Sequence, residues 1–255
     1  MISDRIVRKK KVMKTIKRIL KKFFRLVGLK VNRYDSLDPD SVLLQKFLIS
    51  REIDLVLDVG ANTGQYASML RGLGYKNKII SFEPQKEAYL SLSENSTKDK
   101  LWEIAPRSAI GAEDGEIEIN LSKNSVSSSV LPILDSLIEY APETEYFGRE
   151  TVPLFKLDTI TQPYSIESFK SILLKIDVQG FEKSVIQGSL ETLPIVNALQ
   201  LELSLVPLYE NQVLLYEMIG MLDNLGFEVY GIIPGFTDIK TGRMLQVDGI
   251  FIRKS

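Results

Sequence analysis

Short hydrophobic runs separated by polar turns recur along the chain from about residue 50 onward. Near-continuous apolar runs are typical of strands buried on both faces of a parallel sheet. The strands predicted in this way are Ile53–Val59, Lys78–Phe82, Trp102–Ile110, Ile172–Ile176, Leu199–Leu203, Phe227–Ile233 and Val247–Arg253. Apolar positions at helical spacing predict helices at Val42–Ile49, Tyr66–Leu73, Phe181–Leu190 and Tyr209–Leu225. This alternation of strand and helix predicts an α/β protein built on a mostly parallel sheet.

The segment between residues 5 and 27 follows a different pattern. Its apolar residues recur three and four positions apart, and Lys and Arg fill most other positions, which predicts a basic amphipathic helix. No apolar run there is long enough for a transmembrane helix or a secretory signal. The sequence therefore predicts a basic helical arm at residues 1–33, a linker and lead-in helix at residues 34–50, and one domain at residues 51–255.

Charge separates this arm from the rest of the chain. The net charge of the 255 residues is −1, but residues 1–33 hold 13 basic residues and one acid, which leaves residues 34–255 at −13. A basic arm on an acidic body indicates an anionic partner. Two interpretations stay open: the helix lies on an anionic membrane, or its apolar stripe packs on the domain or on a partner chain.

Nucleic acid is a weaker partner for the arm, which lacks interleaved Gly, Tyr or Asn and precedes no recognised binding module. A cytoplasmic location, with peripheral attachment at the inner face of the membrane, is the expectation. The sequence does not indicate an oligomeric state.

The chain contains neither cysteine nor histidine. Disulfides, thiolate metal sites and a cysteine nucleophile are therefore excluded. The absence of histidine removes the commonest general base, so catalysis must use carboxylates, hydroxyls, lysines or backbone groups.

The first strand leads into a glycine-rich turn, Gly60-Ala61-Asn62-Thr63-Gly64. Asp58 interrupts the apolar run, and a carboxylate at such a position needs a hydrogen-bonding partner. We expect Asn62 or Thr63 to cap the helix that follows and includes Tyr66. Strand, turn and helix N-terminus together predict a place where a ligand approaches bare backbone.

Acidic residues end several of the other predicted strands. Glu83, with Pro84 after it, lies about 20 residues beyond the glycine turn, where an acid of a doubly wound sheet accepts hydrogen bonds from ribose hydroxyls. Asp177 and Glu202 lie near the ends of two later strands. Because ligands bind at the carboxyl ends of parallel strands, we expect Asp58, Glu83, Asp177 and Glu202 to approach one mouth.

Three loop features are also predicted. Asp114-Gly115 is expected to form a hairpin turn into an alternating strand, Glu116–Leu121. The serine-rich segment Ser122–Ser129 is expected to form a loop, with turn chemistry favoured over a role above the ligand cleft. Residues Pro142–Arg149 are polar and irregular, which indicates part of a lid.

The order of these motifs resembles the class I S-adenosylmethionine-dependent methyltransferases and, within them, the FkbM family. The matching segments are Asp58–Gly64, Phe82–Pro84, Val152–Ile160, Leu174–Glu182 and Leu201–Leu203. The resemblance covers roughly residues 50 to 255, and Gln179 stands where many relatives have Glu. It implies a three-layer Rossmann-like fold with a seven-stranded sheet whose last strand is antiparallel.

The resemblance also implies a function. S-adenosylmethionine would lie with its methionine part over the Gly60–Gly64 turn and its ribose on Glu83, with Ser108 and Ala109 near the adenine. Family members are expected to methylate hydroxyls, often on sugars or polyketide-type scaffolds. Asp177 is the candidate base or hydroxyl orienter, Lys175, Glu182 and Glu202 are lesser candidates, and a divalent cation is an alternative to a protein base.

Two other functions share parts of this pattern. A nicotinamide-dependent oxidoreductase uses a similar glycine turn and ribose acid, but its fingerprint is Gly-x-Gly-x-x-Gly, whereas Asn62 occupies the middle glycine position here. A non-catalytic protein could keep the fold and use the arm to reach a membrane or a partner. Intact Asp58, Glu83 and Asp177 argue against loss of the site.

Overall fold

The computed structural model describes residues 39–254, so the predicted basic helix at residues 5–27 lies outside the described residues. The strands are β1 Leu55–Val59, β2 Lys78–Phe82, β3 Trp102–Ile104, β4 Ala109–Ile110, β5 Gly115–Ser122, β6 Tyr146–Phe155, β7 Ile172–Ile176, β8 Val196–Ser204, β9 Phe227–Pro234 and β10 Gln246–Arg253. The α-helices are α1 Pro39–Ser50, α2 Gln65–Gly72, α3 Lys86–Ser96, α4 Asp135–Tyr140, α5 Leu157–Ile160, α6 Glu182–Gln187 and α7 Leu215–Asn224. Short 3-10 turns lie at Ser125–Ser127, Pro142–Thr144, Gln162–Tyr164, Ile166–Ser168 and Leu193–Ile195.

Seven strands form the main sheet, in the order β3-β2-β1-β7-β8-β10-β9. Strands β3, β2, β1, β7 and β8 run parallel, and β10 is antiparallel to both of its neighbours, β8 and β9. The predicted α/β fold with a seven-stranded sheet and an antiparallel last strand is therefore confirmed. The strand order reverses between β1 and β7, which makes their carboxyl ends the expected binding crevice.

The central strands are the most buried part of the molecule. Every residue of β1 and of β7 is buried, including Asp58 and Lys175, which are paired in register. Apolar side chains of both strands join one core cluster with residues of β2, β8, β10 and α7. The near-continuous apolar runs in the sequence follow from this burial on both faces.

A second sheet corrects three predictions. Trp102–Ile110 is not one strand, because β3 ends at Ile104 and Ala109–Ile110 pairs with β6 instead. The second sheet has the order β4-β6-β5, so Asp114 does not turn a hairpin between neighbouring strands. The Asp114 carboxylate instead accepts hydrogen bonds from the Lys156 N–H and the Thr159 hydroxyl. Residues 146–149, predicted as part of an irregular lid, belong to the ten-residue strand β6.

Two helix predictions also need correction. Neither Asn62 nor Thr63 caps α2, because the N-cap residue is Gly64, with φ +92° and no side-chain hydrogen bond. The predicted helix at Tyr209–Leu225 begins only at Leu215. Gln212 explains the difference, since its Oε1 accepts the N–H groups of Leu208 and Tyr209 and closes a turn there. Among the helices that the structure describes, none is long and apolar enough to cross a membrane.

Candidate functional site

The predicted strand-end residues lie at one edge of the main sheet. The carboxyl ends of β1, β2, β7 and β8 meet there, because these strands are parallel. Strand β10 enters the same edge with its first residues, because it runs the opposite way and pairs Gln246 with Ser204 and Asp248 with Glu202. The sheet therefore supplies the site from five strands.

The glycine turn is held tightly between β2 and β7. The N–H groups of Gly60 and Ala61 both donate to the carbonyl oxygen of Phe82, at 3.1 and 3.0 Å. Gly60 has φ +77°, and a Cβ on it would lie 1.9 Å from the backbone oxygen of Asp177. Only glycine fits this position, which brings the backbone after β1 against the backbone after β7.

Glu83 closes the turn from the end of β2. Its Oε2 accepts the Asn62 N–H at 2.7 Å, and its Oε1 accepts the Gln85 N–H at 2.8 Å. Burial raises the pKa of this carboxyl to about 7, although the two N–H groups act in the opposite direction. The acid predicted to bind ribose therefore lies next to the glycine turn, and its carboxyl gains or loses a proton near neutral pH.

Lys175 connects Asp58 with the turn and with Asp177. Its ammonium donates to the Gly60 carbonyl at 3.1 Å and lies 3.3 Å from Asp58 Oδ1 and 3.5 Å from Asp177 Oδ2. Asp58 Oδ2 accepts the Ser81 hydroxyl, whereas Oδ1 receives no hydrogen bond from the described residues. Burial alone would lower the pKa of Lys175, but attraction to Asp58 and Asp177 outweighs it and raises the pKa.

Asp177 and Glu202 are joined through the amide of Gln179. The Gln179 Nε2 donates to Asp177 Oδ1 and to Glu202 Oε2, each at 2.8 Å. Gln246 donates to the same oxygen of Glu202 at 2.7 Å. The side chain of Asp177 is 37% exposed, so this carboxylate is open to solvent while being held on one side. Burial and the charge of Asp177 raise the pKa of Glu202 well above its usual range.

Glu182 has a local role at the start of α6. Its Oε1 accepts the N–H groups of Val178 and Gly180, at 3.2 and 3.0 Å, and the side chain is buried. Burial raises its pKa to about 7. This carboxylate fixes the turn after β7, in which Gln179 and Gly180 both have positive φ.

Asp248 is a site residue that the sequence reasoning missed. It faces Glu202 in register, and burial together with the charge of Asp177 raises its pKa to about 6. Its carboxylate also interacts with the side chain of Gln200, which accepts the Tyr66 hydroxyl at 2.7 Å. The signal was available, since Asp248 interrupts the apolar closing strand just as Asp58 interrupts the first one.

The remaining predicted cofactor residues lie apart from the third strand. Ser108 is buried with its hydroxyl on the Pro106 carbonyl, and Ala109 belongs to a separate core cluster of the second sheet. The residue directly after β3 is Ala105, whose N–H donates to Ser81. Pro84 is held through its carbonyl, which accepts Arg107 Nη1 at 2.9 Å.

The serine-rich segment at Ser122–Ser129 contacts both sides of the site. Ser125 hydrogen-bonds with Asn62, and its carbonyl accepts the Gln85 side chain at 3.0 Å. Ser129 donates to the Gln179 carbonyl at 2.6 Å. The loop therefore spans from the glycine turn to the turn after β7.

Within residues 39–254, no group of three or more acidic side chains is arranged to hold a metal ion.

Comparison with known proteins gives matches over this region. The family model described as the methyltransferase FkbM domain matches residues 58–229, which include every predicted site residue. The 2-O-methyltransferase NoeI of Sinorhizobium fredii is 28% identical over 197 residues, covering 73% of this chain and 77% of NoeI. The hexuronic acid methyltransferase AglP of Haloferax volcanii is 26% identical over 154 residues, covering 60% of this chain and 57% of AglP.

Among solved structures, the magnesium protoporphyrin IX methyltransferase ChlM from Synechocystis PCC 6803, with bound SAM, aligns with a TM-score of 0.45 at 10% identity. The alignment covers 93% of this chain and 97% of ChlM.

Proposed function

Because the chain belongs to the FkbM family of methyltransferases, we propose that it transfers the methyl group of S-adenosylmethionine to a hydroxyl group of a sugar or glycan. The name of NoeI, a 2-O-methyltransferase, supports transfer to an oxygen, and the name of AglP, a hexuronic acid methyltransferase, supports a sugar acid as acceptor. Because the match covers only 57% of the length of AglP, the proposal takes from this relative the type of reaction and not its particular acceptor.

One observation carries the proposal: the glycine turn and Asp177 share one mouth of the sheet. Gly60 is packed against the Asp177 carbonyl so closely that a Cβ would overlap it, and Lys175 links Asp58, Gly60 and Asp177. A cofactor bound over the turn would therefore lie close to the Asp177 carboxylate. This arrangement suits direct transfer between a bound cofactor and an acceptor.

The cofactor side uses the residues around the turn. Gly60, Ala61, Asn62 and Gly64 present backbone without bulky side chains, and Glu83 offers carboxylate oxygens for ribose hydroxyls. Buried Asp58 acts on the turn through Lys175, and Tyr66 contributes its ring, whose centroid is 5.3 Å from the Lys175 ammonium. Pro84 stays a candidate cofactor residue beside Glu83, and Ser108 and Ala109 stay candidates for the adenine side.

The reaction depends on positioning the cofactor and the acceptor more than on covalent catalysis by the protein. S-adenosylmethionine supplies an electrophilic methyl carbon, which the acceptor oxygen attacks in line from about 3–3.5 Å as the carbon–sulfur bond breaks. Asp177 accepts the hydroxyl proton at or after transfer, because 37% of its side chain is exposed at this mouth. Lys175, Glu182 and Glu202 remain lesser candidates, and hydrogen bonds to the turn occupy Glu182.

Methyl-labelled cofactor tests the proposal directly. The full-length protein is titrated with S-adenosylmethionine and with NAD, and is then incubated with labelled cofactor and glycan fractions. We expect tight binding of S-adenosylmethionine only, label in an alkali-stable ether, and a loss of about 10²–10⁴-fold in kcat for Asp177→Asn with unchanged cofactor affinity. Tight NAD binding without a response to the sulfonium cofactor would contradict the proposal, and binding of neither would favour a non-catalytic role.

A divalent cation is the alternative to a protein base. The assay therefore includes one arm with EDTA and one with added Mg²⁺. Transfer that persists in EDTA supports Asp177 as the proton acceptor, whereas a loss that Mg²⁺ restores would assign deprotonation to a bound cation.

The arm carries a separate proposal about location. We infer from its charge of +12 and its apolar stripe that residues 1–33 dock the enzyme at an anionic membrane, where a lipid-linked glycan is the acceptor. Full-length protein is expected to sediment with anionic vesicles at low salt and to be released by high salt. Equal sedimentation of a variant lacking residues 1–33 would contradict docking through the arm.

A further inference from the structure

Gln179 occupies a strained backbone position in the turn after β7. Its φ is +54°, a left-handed conformation that costs a non-glycine residue about 1–2 kcal/mol. Strain of this kind persists where the surrounding contacts determine the conformation, and it is concentrated at functional sites.

Every polar group of Gln179 outside its N–H has a partner. Its Nε2 bridges Asp177 Oδ1 and Glu202 Oε2 at 2.8 Å each, and its Oε1 accepts the Tyr209 hydroxyl at 2.9 Å. Its backbone carbonyl accepts the Ser129 hydroxyl. The partners fix the orientation of the amide, because its nitrogen donates to two carboxylate oxygens and its oxygen accepts a hydroxyl.

The charges around this amide are mostly negative. Glu202 on β8, Asp248 on β10 and Glu182 on α6 surround Asp177, and each has a raised pKa, caused first by burial and then in part by the charge of Asp177. Lys175 on β7 is the nearby cation, and it is shared with Asp58 on β1. A neutral donor between two of these acids joins them without adding another negative charge.

We propose that Gln179 is the positioning residue for the acceptor hydroxyl, because its amide holds Asp177 and Glu202 together as one oriented pair at the mouth of the site. The proposal rests on the proposed methyl transfer, in which Asp177 receives the proton. Asp177 needs a fixed direction for this task, and within residues 39–254 it is the Gln179 amide that donates a hydrogen bond to its side chain. Glu202 is held from its other side by Gln246.

Two variants separate positioning from folding. Gln179→Asn suits the left-handed backbone but is one methylene too short to bridge the two carboxylates. Tyr209 keeps a second acceptor, the Ser127 carbonyl at 3.4 Å. Gln179→Glu keeps the length and the Tyr209 contact but removes both donors. Gln246→Asn is the matched control, since it removes a donor from Glu202 and leaves Asp177 untouched.

The kinetic test measures both kcat and the KM for S-adenosylmethionine in the full-length wild type and variants. Both Gln179 variants are expected to lose about 10-fold to 100-fold in kcat while their KM for S-adenosylmethionine stays close to wild type. Gln179→Asn adds no charge and is also expected to keep the wild-type midpoint of urea unfolding. Gln246→Asn is expected to lose far less. Wild-type kcat in either folded Gln179 variant would overturn the proposal, as would an equal loss in the control.

A spectroscopic measurement needs no acceptor. The side-chain carboxyl ¹³C resonance of Asp177, assigned with Asp177→Asn, is expected to move in both Gln179 variants and to stay in place in Gln246→Asn at constant pH. An unchanged resonance would overturn the proposal whatever the acceptor is. A moved resonance, in an enzyme whose wild type labels no acceptor fraction, would support the role of Gln179 in orienting Asp177 and contradict the proposed function instead.

Discussion

Gly60 and Gly74 share a left-handed backbone but differ in what surrounds them. A Cβ on Gly60 would lie 1.9 Å from the Asp177 oxygen, whereas a Cβ on Gly74, with φ +90°, meets nothing within 4 Å. Gly74→Ala should therefore cost only the backbone strain, about 1–2 kcal/mol. Gly60→Ala adds overlap with a backbone atom that cannot move alone, so we expect a loss of about 3 kcal/mol or more in the free energy of unfolding, and loss of cofactor binding.

Urea unfolding and calorimetric titration with S-adenosylmethionine measure both effects. Comparing the two variants separates the effect of the contact between residue 60 and the Asp177 oxygen from the cost of the left-handed backbone, which both positions share. Equal destabilisation of the two would show that the contact between the turn and Asp177 contributes little.

We expect Glu83 to make cofactor binding sensitive to pH. Its pKa is raised to about 7, chiefly by burial, so the carboxylate is protonated as the pH falls below neutrality and then loses acceptor capacity for ribose hydroxyls. Affinity for S-adenosylmethionine is expected to fall about tenfold between pH 8 and pH 6. Isothermal titration at several pH values measures this change.

Glu83→Gln should bind more weakly at pH 8 and lose most of the dependence on pH, because the amide does not titrate. Glu87→Gln, at an exposed acid in the first turn of α3, is the control and should keep the wild-type profile. A profile that is the same in wild type and Glu83→Gln would assign the titration to another group.

At the scale of elements, the loop Ser122–Ser129 joins the two halves of the site. Its contacts reach Asn62 and Gln85 on the cofactor side and Gln179 on the other side. A cofactor bound over the glycine turn would stabilise the turns that this loop contacts, so the loop backbone should open less often. Hydrogen exchange of residues 122–131 is expected to slow when S-adenosylmethionine is added.

The segment Ile239–Arg243 is the internal control for this measurement. It lies in a turn closed by Asp238, and Ile239 is 98% exposed. Its exchange should be unchanged by the cofactor. Equal slowing of both segments would indicate general stabilisation, and no slowing at residues 122–131 would separate the loop from the cofactor.

Local sequence predicted the central elements well. Strands β1, β2 and β7 are buried on both faces and therefore carry apolar runs that are visible without a partner. The prediction of one strand at Trp102–Ile110 was wrong because Pro106 cannot donate a hydrogen bond to a neighbouring strand. The chain therefore leaves the main sheet after Ile104 and joins the second sheet. That change of partner depends on β6, which lies more than 40 residues later.

The site was predictable to the same extent. Gly60, Glu83 and Asp177 each follow an apolar run, so the local sequence is enough to predict that they lie at the ends of strands. Asp248 interrupts an apolar run as Asp58 does, but its place beside Glu202 depends on the antiparallel insertion of β10 between β8 and β9, so the interruption alone does not assign it to the site. The bridging role of Gln179 likewise depends on contacts with Glu202 and Tyr209, 23 and 30 residues away.

At the scale of the whole molecule, the buried acids should give an unusual dependence of stability on pH. The pKa values of Glu83 and Glu182 are raised to about 7 and that of Asp248 to about 6, in each case chiefly by burial. The native state therefore binds more protons than the unfolded chain between about pH 4.5 and pH 7. Under linkage this means that the stabilisation is present at low pH and is lost as the pH rises through these values.

The free energy of unfolding of the cofactor-free protein should consequently fall by at least about 2 kcal/mol between pH 5 and pH 8. Below about pH 4 the opposite trend takes over, because Asp99 and Asp114 have pKa values lowered by their hydrogen-bonding partners and lose that stabilisation on protonation. The maximum is therefore expected near pH 5, and urea unfolding at pH 4, 5, 6, 7 and 8 locates it.

Glu182→Gln is the variant that attributes this slope to a named group. One oxygen of Glu182 accepts both backbone N–H groups, and the amide oxygen of glutamine can do the same without a charge. The variant should match wild type at pH 5 and exceed it at pH 8 by on the order of 1 kcal/mol. Glu191→Gln, at an exposed position, should leave the slope unchanged. Stability that rises from pH 5 to pH 8 would mean that these carboxylates are ionised at little cost, and that the mouth of the site is better solvated than its burial implies.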